Sequence, residues 1–174
     1  MHGTTSAQYP AIASLDVAGA MMDGSQGEWL VDEAVTEAIR FRQAIVRTGR
    51  RIAAAGDRPP WFFGVWQPAT VTEPDSGVET ALADASPALL ATDPRCWELE
   101  PDAEWHGFPG LSRGQCMLDP IKVTLTCPGV TAAGRSPPWG IPARILTAYL
   151  TGRGIVVEKT DTYTTLVLFS MRIT

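Results

Sequence analysis

Two lysines and two histidines in 174 residues leave little material for proton transfer or amine chemistry, and a net charge of −5 leaves no basic footprint for a phosphate backbone. Nucleic acid is therefore not an expected partner. No apolar run approaches the eighteen or so residues of a membrane span, and the opening "MHGTTSAQYP" lacks the charged-then-apolar order of a signal peptide. The expectation is a cytoplasmic chain with no membrane segment. Cys96, Cys116 and Cys127 are odd in number and far apart, which suits reduced thiols better than a disulfide framework. With His106 they lack the close pairing that lets ligands share one ion, so no metal is expected. A phosphate loop, a dinucleotide glycine fingerprint, a G-x-S-x-G elbow and a zincin helix are all absent.

What is present is an ordinary globular composition, 45% apolar and 19% charged. Helical spacing of Ile12, Leu15, Ala18 and Met22 predicts a short, mostly buried helix over 11–22, broken by "DGSQG". From Trp29 to about Ala54, Val31, Val35, Ala38, Ile39, Ile45, Val46 and Ile52 recur on one side, predicting a long helix. Its acids Asp32, Glu33 and Glu37 come early and Arg47, Arg50 and Arg51 late, the order that suits a helix dipole. "WFFGVW" at 61–66 reads as an aromatic strand. Six prolines punctuate 67–113, which reads as an excursion with one helical turn at 87–91. Alternation in "IKVTLTC" predicts a strand over 121–127, followed by a loop. Pro142 and Gly152 delimit a helix whose inner stripe is expected to be Ile145, Leu146, Tyr149 and Leu150. Strands at 155–159 and 163–170 follow. The order of elements indicates an α/β or α+β unit, with no element left to cover the second face of the sheet.

Three groups of residues carry candidate chemistry. "HGTTS" offers the hydroxyls of Thr4, Thr5 and Ser6 ahead of a helix, either as caps or to an anion. His106, between Trp105 and Phe108, reads as a hydrogen-bonded structural imidazole rather than a catalytic base. Glu158 and Lys159 sit side by side near a turn, where charges ordinarily serve solubility.

The strings "HGTTSAQYPAIASLDVAGAMMDG", "WHGF", "LDPIKVTLTCPG", "GIPARILTAYL" and "GIVVEKTDTYTTLVLFSM", in this order, resemble the bacterial ornithine/lysine/arginine decarboxylases. That family consists of pyridoxal-phosphate enzymes of the aspartate-aminotransferase fold, and the resemblance covers essentially the whole chain. It implies an α/β fragment of a fold type I enzyme. Residues 1–57 would be the end of the cofactor-binding major domain with the long connecting helix, and 58–174 part of the smaller C-terminal α+β domain. In the family the Schiff-base lysine stands in a Ser-x-His-Lys context upstream of the position of His2. Here Lys122 follows Ile121 and Lys159 follows Glu158, so neither fits, and no catalytic residue is assigned.

Further implications are a homodimer or higher oligomer and a basic amino-acid substrate, giving agmatine, cadaverine or putrescine with CO₂. Thr4, Thr5 and Ser6 match the stretch that approaches the cofactor phosphate from the partner subunit, although Gly3 stands where the family usually has a hydroxyl. Glu158 matches an acidic position near the substrate entrance, with Lys159 on the opposite face. The long Pro-rich segment looks most like the arginine enzymes, the Glu158-Lys159 pair more like the lysine and ornithine enzymes, and the substrate stays open between them. A non-catalytic dimerisation or binding remnant is the alternative.

Overall fold

In the computed structural model, residues 8–56, 63–74, 76–128 and 140–171 are described. Helix α1 (Tyr9–Met22) runs into helix α2 (Gly24–Ala54), and four antiparallel strands form the main sheet. These are β1 (Gly64–Val65), β4 (Lys122–Thr126), β5 (Lys159–Thr160) and β6 (Thr164–Leu168), in the order β1-β4-β6-β5. Between β1 and β4 the chain makes a hairpin of β2 (Thr70–Thr72) and β3 (Glu79–Ala81), a short helix α3 (Pro87–Thr92) and a 3₁₀ turn (Pro94–Trp97). Helix α4 (Ala143–Thr151) precedes β5.

Helix α2 organises the chain because two cores share it. Ala38, with Phe41 and Ile45 beside it, packs on Val123 and Leu125 of the sheet. Ile39 packs instead into a second cluster of Val71, Leu82, Ala85, Leu90, Cys96, Trp97, Leu99 and Leu118. Each large side chain fully buried there contributes roughly 1.5–3 kcal/mol relative to exposure. The Pro-rich excursion is thus a packed lobe against α2. Its helical turn lies where expected, at α3, while the hairpin and the core beneath it were not expected.

Other sequence expectations need correction. The "DGSQG" break shrinks to Asp23: Gly24 takes φ 68°, and Ser25 to Gly27 already belong to α2. The helix therefore starts earlier, which leaves Asp32, Glu33 and Glu37 beyond its first turn, too far to complement the dipole. At the other end Arg51 does stand in the last turn, as expected, while Arg50 forms an ion pair with Asp84 at 2.5 Å. Helix α1 has no buried residue at all, contrary to the burial expected of it. In α4 the inward stripe is Ala143, Leu146, Thr147 and Leu150, whereas Ile145 and Tyr149 are exposed. The Thr147 hydroxyl sets that rotation, lying 2.7 Å from the Thr160 hydroxyl and 3.3 Å from that of the fully buried Thr165.

The register Val123↔Val167 and Leu125↔Thr165 puts these four side chains on one face, the one covered by α2 and α4. Lys122↔Leu168, Thr124↔Leu166 and Thr126↔Thr164 stand on the other face, which no helix covers among the described residues. The strand expected over 155–159 is paired only at Lys159 and Thr160. Ile155 N–H is tied to Leu150 O at 3.0 Å, so the chain leaving α4 cannot reach the sheet edge sooner. The strand expected over 61–66 is observed at Gly64–Val65; residues 61–62, and 129–139 of the expected loop, lie outside the described residues.

Candidate functional site

Among the described residues, Glu158, Lys159 and His106 do not converge on one cleft. Thr4, Thr5 and Ser6 lie outside the described residues. Glu158 immediately precedes β5; its backbone N–H donates to Leu166 O at 2.9 Å and its side chain is exposed. No ion pair holds its carboxylate among the described residues. Lys159 lies across from Leu166, which in turn lies across from Thr124, so it stands on the uncovered face of the sheet. There Thr124, Lys159, Thr160, Asp161, Thr164 and Leu166 line an open depression of about 450 Å³. Glu158 is not part of that lining.

The remaining lysine, Lys122, is also exposed and sits 3.4 Å from Asp119. An amine that condenses with a carbonyl near neutral pH needs a desolvated pocket or a neighbouring cation to favour its free-base form. Neither lysine has one. The described residues therefore do not fit covalent attachment of pyridoxal phosphate.

His106 is buried and fully engaged. Phe108 N–H donates to its Nδ1 at 3.0 Å, which leaves the proton on Nε2 to donate to Glu100 O at 2.9 Å. Its ring stacks on Phe108 and meets the edge of Trp105, and Trp105 packs in turn on Trp66. This is the structural imidazole expected from the sequence, with no free nitrogen for a substrate.

The polar centre that sequence reasoning missed is Arg42. It is wholly buried in the middle of α2, and all five of its N–H donors are used. Nε donates to Pro120 O at 3.0 Å, Nη1 to Trp66 O and Gln67 Oε1 at 3.3 Å each, and Nη2 to Lys122 O at 2.9 Å and Asp119 O at 3.4 Å. The guanidinium also lies 5.3 Å from the Trp97 ring centre. Burial pulls its pKa down to about 10, with the Asp119 charge opposing the shift, so it remains a cation at neutral pH. Next to it the buried Gln43 donates to Leu82 O and Ala85 O at 3.0 and 2.9 Å. Together these two side chains tie α2 to both cores. An Arg-Gln pair inside an apolar stripe, flanked by Ile39 and Ile45, was the only available sign of it.

Cys96 and Cys127 are buried and Cys116 is exposed, all as free thiols. Burial pushes the Cys127 thiol up to about 11. It raises Cys96 as well, with help from the Asp93 charge.

The chain belongs to the Orn/Lys/Arg decarboxylase family: the family's pattern, described as "Orn/Lys/Arg decarboxylase, major domain", matches residues 1–174. Among curated relatives it is 47% identical over 174 residues to the lysine decarboxylase LdcA of Pseudomonas aeruginosa, covering 100% of this chain and 21% of that protein. The biodegradative arginine decarboxylase of Escherichia coli is 42% identical over 174 residues, covering 100% of this chain and 23% of the relative. The chain thus spans about a fifth of the length of the curated relatives it matches. Among solved structures, lysine decarboxylase A from Pseudomonas aeruginosa superposes with a TM-score of 0.68 at 46% identity, covering 100% of this chain and 21% of that one. The Francisella novicida lysine decarboxylase LdcF also gives 0.68, at 33% identity, covering 99% of this chain and 20% of that one. The mixed helix and sheet described above is an α/β portion of that fold.

Proposed function

We propose that this chain is a segment of a pyridoxal-phosphate-dependent basic amino-acid decarboxylase, a lyase converting lysine, arginine or ornithine to the corresponding amine and CO₂. The observation that carries the reading is the 47% identity to a lysine decarboxylase along all 174 residues. In this reading residues 1–57 close the cofactor domain and 58–174 open the smaller one. Thr4, Thr5 and Ser6 reach the cofactor phosphate across a homodimer, in the cytoplasm. Glu158 receives the cationic end of the substrate: its carboxylate is exposed and in no ion pair among the described residues, so it is available to an ammonium or guanidinium.

The isolated chain is then inert, because its two lysines are exposed on the sheet and beside Asp119. Mixing the purified chain with pyridoxal phosphate and recording the visible spectrum tests this. No imine absorbance should develop beyond that of exposed lysines in an unrelated protein, and a saturable, stoichiometric band would overturn it. A second reading, a non-catalytic dimerisation or binding remnant, is favoured by one feature, the absence of any buried residue in α1. The two readings part when the chain is built into a complete relative and assayed for CO₂ release.

A further inference from the structure

Glu158 sits on a strap that has little packing of its own. Between α4 and β5, Ile155 and Val156 are exposed, Val156 by 84%, and β5 is a two-residue strand at the edge of the sheet. Glu158 N–H bonds to Leu166 O at 2.9 Å, and Lys159 is already the residue facing Leu166, so two residues of the strap oppose one of β6. That is the pattern of a β-bulge, which takes a residue out of the regular pleat and re-aims its side chain. Where the Glu158 carboxylate stands therefore depends on what holds the strap on either side of the bulge.

On both sides the hold comes from α4. Upstream, Ile155 N–H donates to Leu150 O at 3.0 Å. Downstream, the Thr147 hydroxyl lies 2.7 Å from the Thr160 hydroxyl and 3.3 Å from that of Thr165, the residue facing Thr160 on β6. The upstream bond is made by backbone and does not depend on side-chain type. The downstream one exists only because residues 147 and 160 both carry hydroxyls, at a point of the inward stripe of α4 where an apolar side chain would pack equally well against Leu146 and Leu150.

We infer that Thr147 is a positioning residue for substrate recognition: by tying Thr160 to α4 it fixes the strap two residues beyond Glu158, and so fixes where that carboxylate meets the cationic end of a basic amino acid. The inference rests on the proposed role of Glu158. Thr147 itself touches no substrate in this account. It supplies the supporting hydrogen bond without which a binding group drifts from its productive position.

The test uses Thr147→Val, which keeps the shape and loses the hydroxyl, and Thr147→Ser, which keeps the hydroxyl. Each is made with and without Glu158→Gln in a chimera in which this chain replaces the matching segment of the Pseudomonas aeruginosa relative. For whichever of lysine, arginine and ornithine the chimera turns over, Thr147→Val should raise KM about fivefold, the size of one lost hydrogen bond. Its kcat should stay within about twofold, and Thr147→Ser should keep both constants within about twofold of the parent. Added to Glu158→Gln, Thr147→Val should raise KM no further, since it acts through that carboxylate. In the lone chain, with no turnover needed, amide exchange at Glu158 and Thr160 should be about fivefold faster in Thr147→Val and parent-like in Thr147→Ser. A KM that Glu158→Gln raises and Thr147→Val leaves alone would overturn the inference while the decarboxylase reading stands. So would KM effects that multiply in the double variant, or exchange that Thr147→Val does not change. A folded chimera inert toward all three amino acids would sink the decarboxylase reading and this role with it, even if the exchange rates showed Thr147 holding the strap.

Discussion

Replacing Arg42 by alanine is the most informative perturbation of the fold. It strips donors from the carbonyls of Pro120, Trp66, Asp119 and Lys122 and from the Gln67 side chain, and it opens a void beside Trp97. Hydrogen bonds to a charged group contribute about 1.5–3 kcal/mol each, but they do not simply add here, because burying the cation is itself costly. Burial drawing the guanidinium pKa down to about 10 is the sign of that cost. Removing the charged hub of a buried hydrogen-bonded network of this kind costs about 3–5 kcal/mol, a large share of the 5–15 kcal/mol that holds a typical domain together. Lysine offers three donors to five acceptors, so Arg42→Lys should lose about 1–2 kcal/mol. Arg42→Met keeps the stem but no donor and should fall near alanine. Urea unfolding followed by tryptophan fluorescence reads all three, since Trp66 and Trp97 flank the site. At neutral pH the order should not change with pH, because the folded-state value of about 10 keeps the side chain charged there. A loss below about 1 kcal/mol for Arg42→Ala, or equal losses for lysine and alanine, would refute the clamp.

Three further outcomes follow from the geometry. At pH 8 a thiol reagent should label Cys116 quickly and Cys96 and Cys127 about a hundredfold more slowly, because burial raises both buried thiols and keeps them protonated; three equal rates by mass spectrometry would contradict this. Gly27→Ala should cost about 1–3 kcal/mol, as a Cβ there meets backbone rather than a flexible tip, and amide shifts at the 22–27 elbow should report its opening. In a chimera in which this chain replaces the matching segment of the Pseudomonas aeruginosa relative, Glu158→Gln should raise KM for the basic amino acid by roughly tenfold with little change in kcat; an unchanged KM removes Glu158 from the substrate wall.

The long helix was legible because burial and period coincide at Ala38 and Ile39 of α2, although at its start Leu30 is buried and Val31, expected on the inner side, is exposed. Strand β4 was legible for the same reason, alternating buried Val123 and Leu125 with threonines. The excursion was not. Its core residues, Val71, Leu82, Leu90 and Trp97, stand singly among prolines and acids, and only contacts with Ile39 far away in sequence make them a cluster. Arg42 was hidden by its type, since a helix arginine is ordinarily solvated and only five distant acceptors bring it inside. In α4 hydrophobicity pointed to Ile145 and Tyr149, while the Thr147 hydroxyl network decided the rotation. For the candidate site, the sequence led to Glu158 through resemblance, and the structure adds its exposure and its separation from the Lys159 depression.

We propose that this chain supplies part of a decarboxylase whose amine chemistry lies in other residues. The direct measurement is CO₂ release from lysine, arginine and ornithine, with pyridoxal phosphate present, by the lone chain and by the chimera side by side. The chimera should turn over at least one of the three and the lone chain none. Release of CO₂ by the lone chain, or a folded chimera inert toward all three, would contradict it.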